Sequence, residues 1–141
     1  MLAEVEQRLA ERASRLRLVA GAIEFAALQA NPPANRQPAG YVVPLAAAAE
    51  ANPFVNAVRQ RITQEFGIAL ALGNLRDARG GRAARELETV IADVRDALVG
   101  WNPGADHDPT EFLRGDLLEV RDGVVWWLER FRSRFIYSGM E

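Results

Sequence analysis

The chain has 141 residues, no cysteine and one histidine, and its 17 basic residues against 19 acidic ones give a formal charge of −2. This composition excludes disulfides, thiolate nucleophiles and cysteine-based zinc sites, and it argues against a protein whose whole surface coats nucleic acid. The length predicts a single domain, 1–141, that folds without covalent cross-links.

Membrane association is not indicated by any stretch of the sequence. The N-terminal segment 1–12 mixes acidic, basic and apolar residues, unlike a secretory signal. The longest strongly apolar run, 66–72, is far shorter than the roughly 20 residues that a membrane span needs. We therefore expect no membrane partner, and a location in the cytoplasm or in a particle.

The first third of the chain predicts short elements around a proline-rich loop. Apolar residues at helical spacing between charged ones predict a helix over 2–13. Apolar and basic residues then alternate up to Leu18, which predicts a short strand before Gly21, and 22–30 is typical of a second short helix. The segment 31–40 holds three prolines and a glycine. It predicts a loop, because proline lacks the backbone donor that helices and sheets use.

The middle of the chain predicts two strands joined by a flexible segment. The stretch 41–45, YVVPL, indicates a strand in which Pro44 favours an edge position or a strand end. The low-complexity segment AAAAEANP, 46–53, has little to bury, and we expect a mobile loop or arm there. A long strand is expected over 57–74, followed by a turn at 74–81. The first half of that strand also fits helical spacing, whereas alternation in the second half favours a strand.

The strongest local signal is an amphipathic helix over 82–99. Its apolar stripe continues into Trp101, after a glycine that is typical of a helix end. Beyond a loop over 102–109, Asp122-Gly123 between two apolar-rich segments predicts a β-hairpin. The predicted core residues are Leu87, Val90, Ile91, Val94, Leu98, Trp101, Trp127 and Phe131.

These elements together predict an α+β domain. We expect an antiparallel sheet of about four strands with two to three helices packed on one face. Strands that return on themselves, instead of strictly alternating with helices, favour this class over a parallel sheet.

Two groups of residues have the side-chain types of catalytic or metal sites. Glu86 and Glu88, or Asp93 and Asp96, could form an acid–base pair, but the polar face of a helix is where charges are expected. The segment HDPTE, 107–111, offers histidine and carboxylates, and a solvated loop is the preferred interpretation because no second histidine or cysteine accompanies them. No phosphate-binding or hydrolase motif occurs. We predict no enzyme and no catalytic, cofactor or metal residues.

The segment WWLERFRSRF, 126–135, places arginines and aromatics on opposite faces of a strand. Arg130, Arg132 and Arg134 share one face, and Trp127, Phe131 and Phe135 share the other. Single-stranded nucleic acid binds where aromatics and positive charge lie on the same side. We favour a half-buried strand with a solvated arginine face, and the alternative is a contact to protein or nucleic acid.

The order of motifs along the chain resembles the phage tail terminator family, small proteins of long-tailed phages and prophages. The series is YVVPL, FGIALALGNLRDARGGRAARELE, ALVGWNP and FLRGDLLEVRDGVVWWLERF, and the resemblance extends from Leu2 to Phe135. It implies a structural virion protein whose subunits form a hexameric ring. In this family the ring caps the tail tube, ends tube polymerisation and provides the surface for head-tail joining.

The resemblance also implies partners and a location. The partners are further copies of the chain in a homohexamer, the tail tube protein, and a head-tail connector or neck protein. DNA is expected to pass through the ring without specific recognition. The location is the head-proximal end of the virion tail, after assembly in the host cytoplasm. The alternative function is a nucleic-acid-binding module that uses the arginine-rich C-terminal strand, and a small enzyme ranks below both.

Two segments are candidate contacts. The arm at 46–56 is expected to order on a neighbouring subunit or on the tube, because a long loop of small residues in a compact domain is usually functional or disordered. The arginine face is expected to line a pore that DNA crosses, to face acidic residues of a neighbour, or to remain solvated. The candidate contact residues are Ala46, Ala47, Ala48, Ala49, Glu50, Arg130, Arg132 and Arg134.

Overall fold

The computed structural model describes residues 1–73 and 81–139, apart from the side chain of Ala83. Most of the turn expected at 74–81 lies outside the described residues. The helices are α1 (Leu2–Arg12), α2 (Ala22–Ala26) and α3 (Gly81–Leu98), with a 3₁₀ turn at Ala34–Arg36. The strands are β1 (Leu18–Ala20), β2 (Ala39–Ala49), β3 (Val58–Leu72), β4 (Glu111–Arg121) and β5 (Val124–Gly139).

The strands form one sheet in the order β1-β2-β3-β5-β4. The α+β class is confirmed. The sheet has five strands where about four were expected, and it is mixed because β1 pairs with β2 in parallel. Between β1 and β2 the chain passes through α2 and the proline-rich loop. A connection of this length allows a parallel pair, which a tight hairpin does not.

One face of the sheet carries the main core, between the strands and the pair α1 and α3. Val5 and Leu9 of α1 and Val94 of α3 pack with Phe66 and Phe131 of the sheet, and all five are fully buried. The helical expectations for 2–13 and 82–99 are confirmed within one or two residues. All eight predicted core residues lie in or against this cluster, with Leu87, Trp101 and Trp127 partly buried.

The opposite face carries a second cluster under α2, so two of the expected two to three helices, α1 and α3, share one face and α2 packs on the other. Phe25 of α2 packs against Tyr41 and Trp126, with ring centroids 5.6 and 5.9 Å away. Ala69 and Ala71 of β3 lie in the same cluster. Their small side chains leave room for these rings, so α2 has an apolar surface to cover on the side away from α1 and α3.

The expectation of a mobile loop at 46–53 is wrong for the first four residues, because Ala46–Ala49 extend β2 and pair with β3. The alanines alternate between two faces that are both exposed, so the period of two that marks a half-buried strand is absent from the sequence. Pro44 lies beyond the three residues that β1 covers, beside a bulge. The expectation of an edge position for this proline is therefore confirmed.

The two turns around β4 follow their sequence signals. Gly100 has φ +84°, the left-handed conformation that ends α3. Asp122 and Gly123 have φ 50° and 79°, the combination of a two-residue hairpin turn between twisted strands. The hairpin of β4 and β5 is therefore confirmed.

Candidate assembly surfaces

The residues of the sequence that could serve catalysis or metal binding lie apart. Glu86, Glu88 and Asp96 are exposed on α3, and Asp93 accepts a hydrogen bond from Arg15 at 3.1 Å. None of these carboxylates faces another in a cleft. In the ranges 1–73 and 81–139 no group of three potential ligands could hold a metal ion.

The HDPTE segment spreads its side chains over different neighbours. The His107 ring packs on Phe135 with centroids 4.8 Å apart. Asp108 pairs with Arg61 at 3.1 Å, and Glu111 pairs with an arginine of β5. Burial lowers the pKa of His107 below its ordinary value of 6.5, and the nearby N-terminal ammonium lowers it further. The segment therefore ties the loop before β4 to β5 and the start of β3.

The arginine face of β5 is interleaved with carboxylates. Arg130 lies 3.8 Å from Asp116 and Arg132 lies 3.2 Å from Glu111, both on β4. Glu65 of β3 is directly opposite Arg132 in the register. The surface therefore carries both signs of charge and little excess positive charge, unlike a site for nucleic-acid phosphates.

The arginine side chains themselves are only half-buried. The Nε atoms of Arg130 and Arg132 are buried and have no hydrogen-bond partner among the described residues. Arg134 follows on the same face, where its backbone carbonyl accepts a bond from the Asp108 N–H at 2.7 Å. Trp127 and Phe131 lie on the other face, toward α3, as the alternation predicts, whereas Trp126 shares the arginine face and packs in the second cluster under α2.

A buried ion pair joins α3 to β5, and the sequence reasoning missed it. Glu129 is fully buried and accepts two hydrogen bonds from Arg95, at 2.7 and 2.9 Å. A third bond comes from the Trp127 indole N–H at 2.7 Å. The bonds to Glu129 raise the pKa of Arg95, whose guanidinium also lies 4.1 Å from the centroid of Phe112. The sequence did offer one signal for this pair, because Glu129 is an acidic residue on the strand face that carries Trp127 and Phe131.

Gly115 of β4 makes this arrangement possible. A Cβ at this position would lie 2.5 Å from the Glu129 carboxylate and 2.7 Å from the Trp127 ring. Any larger side chain at position 115 would displace the Glu129 carboxylate from Arg95. The glycine is therefore required for the close approach of β4 to the Glu129 and Trp127 side chains.

The hairpin arm is defined here as residues 46–65, the outer parts of β2 and β3 with the loop between them. Ala46–Ala49 are exposed, and Glu50 donates its backbone N–H to Arg61 at 2.9 Å. Asn52 braces the loop, because its amide donates to the carbonyls of Phe54 and Ala57 at 2.9 and 2.8 Å. The arm is therefore an ordered projection of the sheet.

The arm tip, residues 50–57, presents apolar side chains to solvent. Phe54 is 52% exposed and Val55 is 97% exposed, and Tyr137 at the end of β5 is 60% exposed. Phe54 lies in a shallow groove with Arg59 and Ile136. A cluster of exposed apolar side chains of this kind is typical of a protein–protein contact.

A second apolar surface lies at the other end of the sheet. The α2–β4 groove, about 330 Å³ in volume, is lined by Phe25, Leu28, Ala30, Leu118, Glu119, Arg121 and Trp126. Leu118 is 48% exposed and lies at a bulge of β4. The Trp126 indole donates to Asn31 at 2.9 Å, which fixes the floor of the groove.

Comparisons with known proteins identify the family. The family model described as phage tail terminator protein matches residues 2–139. No curated protein sequence matches the chain. Among solved structures, the chain is similar to a protein in a structure titled "Virion of native gene transfer agent (GTA) particle". The TM-score is 0.56 at 21% identity, over 97% of this chain and 95% of the other, and this likeness shows the fold.

Within residues 1–73 and 81–139, no helix has both the length and the apolar character needed to cross a membrane.

Proposed function

Because the chain belongs to the phage tail terminator family, we propose that it closes into a homohexameric ring that caps the tail tube and ends its polymerisation. Membership of the family makes it a structural component of the virion and not an enzyme. The observation that carries the proposal is the match over residues 2–139, which spans both the core and the arm.

The exposed surfaces support a function in assembly. Phe54 and Val55 of the arm tip are about half exposed or more, and so are Leu117, Leu118 and Val120 of β4, of which Leu118 lines the α2–β4 groove. Burying such side chains against partners contributes about 25 cal/mol for each Å² removed from water. A ring subunit needs surfaces of this kind, because it contacts neighbours on both sides as well as the tube.

We assign the remaining partners on the same basis. One face of the ring binds the tail tube protein, and the other offers the surface to which a head-tail connector or neck protein attaches. The ring is placed at the head-proximal end of the tail and assembles in the host cytoplasm. DNA crosses it without specific recognition, and the mixed charges around Arg130 and Arg132 are consistent with this.

Tail length is the measurement that tests the proposal. Particles assembled without this protein should carry tubes of uncontrolled length and no attached heads, as seen by negative-stain electron microscopy. Adding the purified chain before tube growth should restore tubes of uniform length, each ending in a six-fold ring. Tubes of normal length without the protein would contradict the capping function.

A further inference from the structure

The arm tip and the α2–β4 groove lie at opposite ends of β5. Val58, next to the arm tip, pairs with Gly139, whereas Trp126 in the floor of the groove lies near the start of the strand. At the usual rise of about 3.3 Å per residue, β5 spans about 40 Å between these two points. The tip of one molecule therefore cannot enter its own groove, and an occupant must come from another molecule.

The two surfaces match in shape and polarity. Phe54 and Val55 project from a braced turn, and the groove is a concave surface with the apolar side chains of Phe25, Leu28 and Leu118 and a polar rim. Its volume of about 330 Å³ equals that of about ten liquid water molecules, enough to receive bulky side chains. Bracing by Asn52 lowers the ordering cost of docking.

The rims match in charge as well. Arg59 and Glu50 flank the tip groove, and Glu119 and Arg121 flank the α2–β4 groove, where they pair at 3.0 Å and remain about half exposed. With Arg61, the tip groove carries two cations and one anion, and the α2–β4 groove carries one of each, so the excess positive charge of the tip can face Glu119. Complementary rim charges of this kind select the partner and its orientation more than they add affinity.

We propose that the arm tip of one copy of this chain docks into the α2–β4 groove of the next copy, with Phe54 as the anchor. The inference rests on the proposed ring and names the contact that closes it. Because the two surfaces differ and each subunit carries one of each, the contact is head-to-tail, and repetition about an axis closes a ring in which every tip and every groove is filled.

Cross-linking tests the contact directly, since the chain has no cysteine of its own. The variant with Phe54→Cys and Leu118→Cys should form disulfide-linked multimers, up to six subunits, when tails carrying it are oxidised. The matched control joins Phe54→Cys to Val99→Cys, because Val99 at 49% exposure resembles Leu118 at 48% but lies at the end of α3. Docking raises the effective thiol concentration, so the first pair should cross-link at least about tenfold faster than the control.

Equal cross-linking of the two pairs would overturn the contact. A disulfide requires Cα atoms within about 7 Å of each other. Random collisions would cross-link both cysteine pairs at similar rates, so faster cross-linking of the first pair requires docking. Val55→Cys, at a side chain that is 97% exposed, replaces Phe54→Cys if the first variant folds poorly. Uniform tails without selective cross-linking would leave the capping function standing and remove this contact, whereas uncontrolled tails with the native chain would remove the function.

A mixing experiment gives the second test. Phe54→Asp and Leu118→Asp should each lose self-association by at least about tenfold, as expected for anchor positions. Mixed together, the two variants should form one-to-one dimers that stop there, because only one intact tip and one intact groove remain between them. Recovery of full rings, or no recovery of dimers, would overturn the head-to-tail arrangement.

Discussion

The two halves of β3 lie in different environments although they belong to one strand. From Phe66 to Leu72 every residue is buried, whereas Val58 to Glu65 are exposed or half-buried. The pairing with β5 continues through both halves, from Val58 opposite Gly139 to Leu72 opposite Val125. The backbone ladder therefore gives the sheet one shape, while side-chain burial stabilises one half and leaves the other half for contacts.

The largest expected effect comes from removing an aromatic ring of β5 that lies opposite the buried half of β3. Phe131 is fully buried and packs on Phe66 with ring centroids 5.7 Å apart. Phe131→Ala should lower the free energy of unfolding by about 3 to 5 kcal/mol, because it leaves a cavity between sheet and helices. Chemical denaturation followed by circular dichroism measures the change.

The control for this substitution lies on the same strand in the exposed half. Tyr137 is 60% exposed, and Tyr137→Ala should change the free energy of unfolding by no more than about 0.5 kcal/mol. Similar losses for the two variants would mean that Tyr137 is buried in the isolated chain, contrary to its 60% exposure.

The buried carboxylate should be the next most sensitive position. Glu129→Gln removes the charge that Arg95 and Trp127 contact. We expect a loss of about 2 kcal/mol, less than the 3 to 5 kcal/mol typical of a broken buried pair, because Arg95 is 40% exposed and its guanidinium can turn to water. Thermal unfolding of Glu129→Gln is compared with that of Asp116→Asn, whose ion pairs to Arg114 and Arg130 lie at the surface and contribute little to stability.

Sequence reasoning worked best where structure depends on neighbours in the chain. The helix α3 and the Asp122-Gly123 turn follow from local spacing and turn chemistry, and both are confirmed. The strand at Ala46–Ala49 was missed because neither of its faces is buried, so no alternation marks it. The residue pattern alone predicted no active site, and the expected function came from the family resemblance.

The features that could not be predicted depend on distant parts of the chain. The Arg95–Glu129 pair joins residues 34 positions apart, and nothing in either segment indicates the other. The placement of α2 on the second face depends on Tyr41 and Trp126, which only the folded sheet brings together.

Below pH 6.5 and above the carboxylate range, the pH dependence of stability should come from one side chain, His107 in the loop before β4. His107 packs on Phe135, and burial lowers its pKa below the ordinary 6.5. The unfolded chain therefore binds a proton at higher pH than the folded chain does. The contribution of neutral His107 to stability is fully present above about pH 6.5, and it is lost as the pH falls through the lower pKa of His107 in the folded state.

The variant His107→Phe isolates this contribution. It keeps an aromatic ring against Phe135 and removes the titrating group. The fall in the free energy of unfolding between pH 6.5 and the carboxylate range should therefore become smaller. Glu4, Asp106 and Asp108 oppose the effect by raising the pKa of His107, and they are unchanged in the variant. Denaturation midpoints of the native chain and the variant are measured across this pH range. An equal fall in the two proteins would show that carboxylates alone cause it.

The smallest effect is expected at the arginine face, which runs from the buried half into the exposed half of β5. Substituting Arg130, Arg132 and Arg134 together by Gln breaks two long, partly exposed ion pairs, to Asp116 and Glu111. Exposed pairs contribute little, so the free energy of unfolding should change by about 1 kcal/mol or less.

Because carboxylates already interleave with the arginines, single-stranded DNA should bind the native chain and the variant equally weakly. Binding to the native chain that weakens steeply with salt and is lost in the variant would instead favour phosphate contacts. That result would make the arginines a DNA-contacting surface and not a solvated part of the sheet.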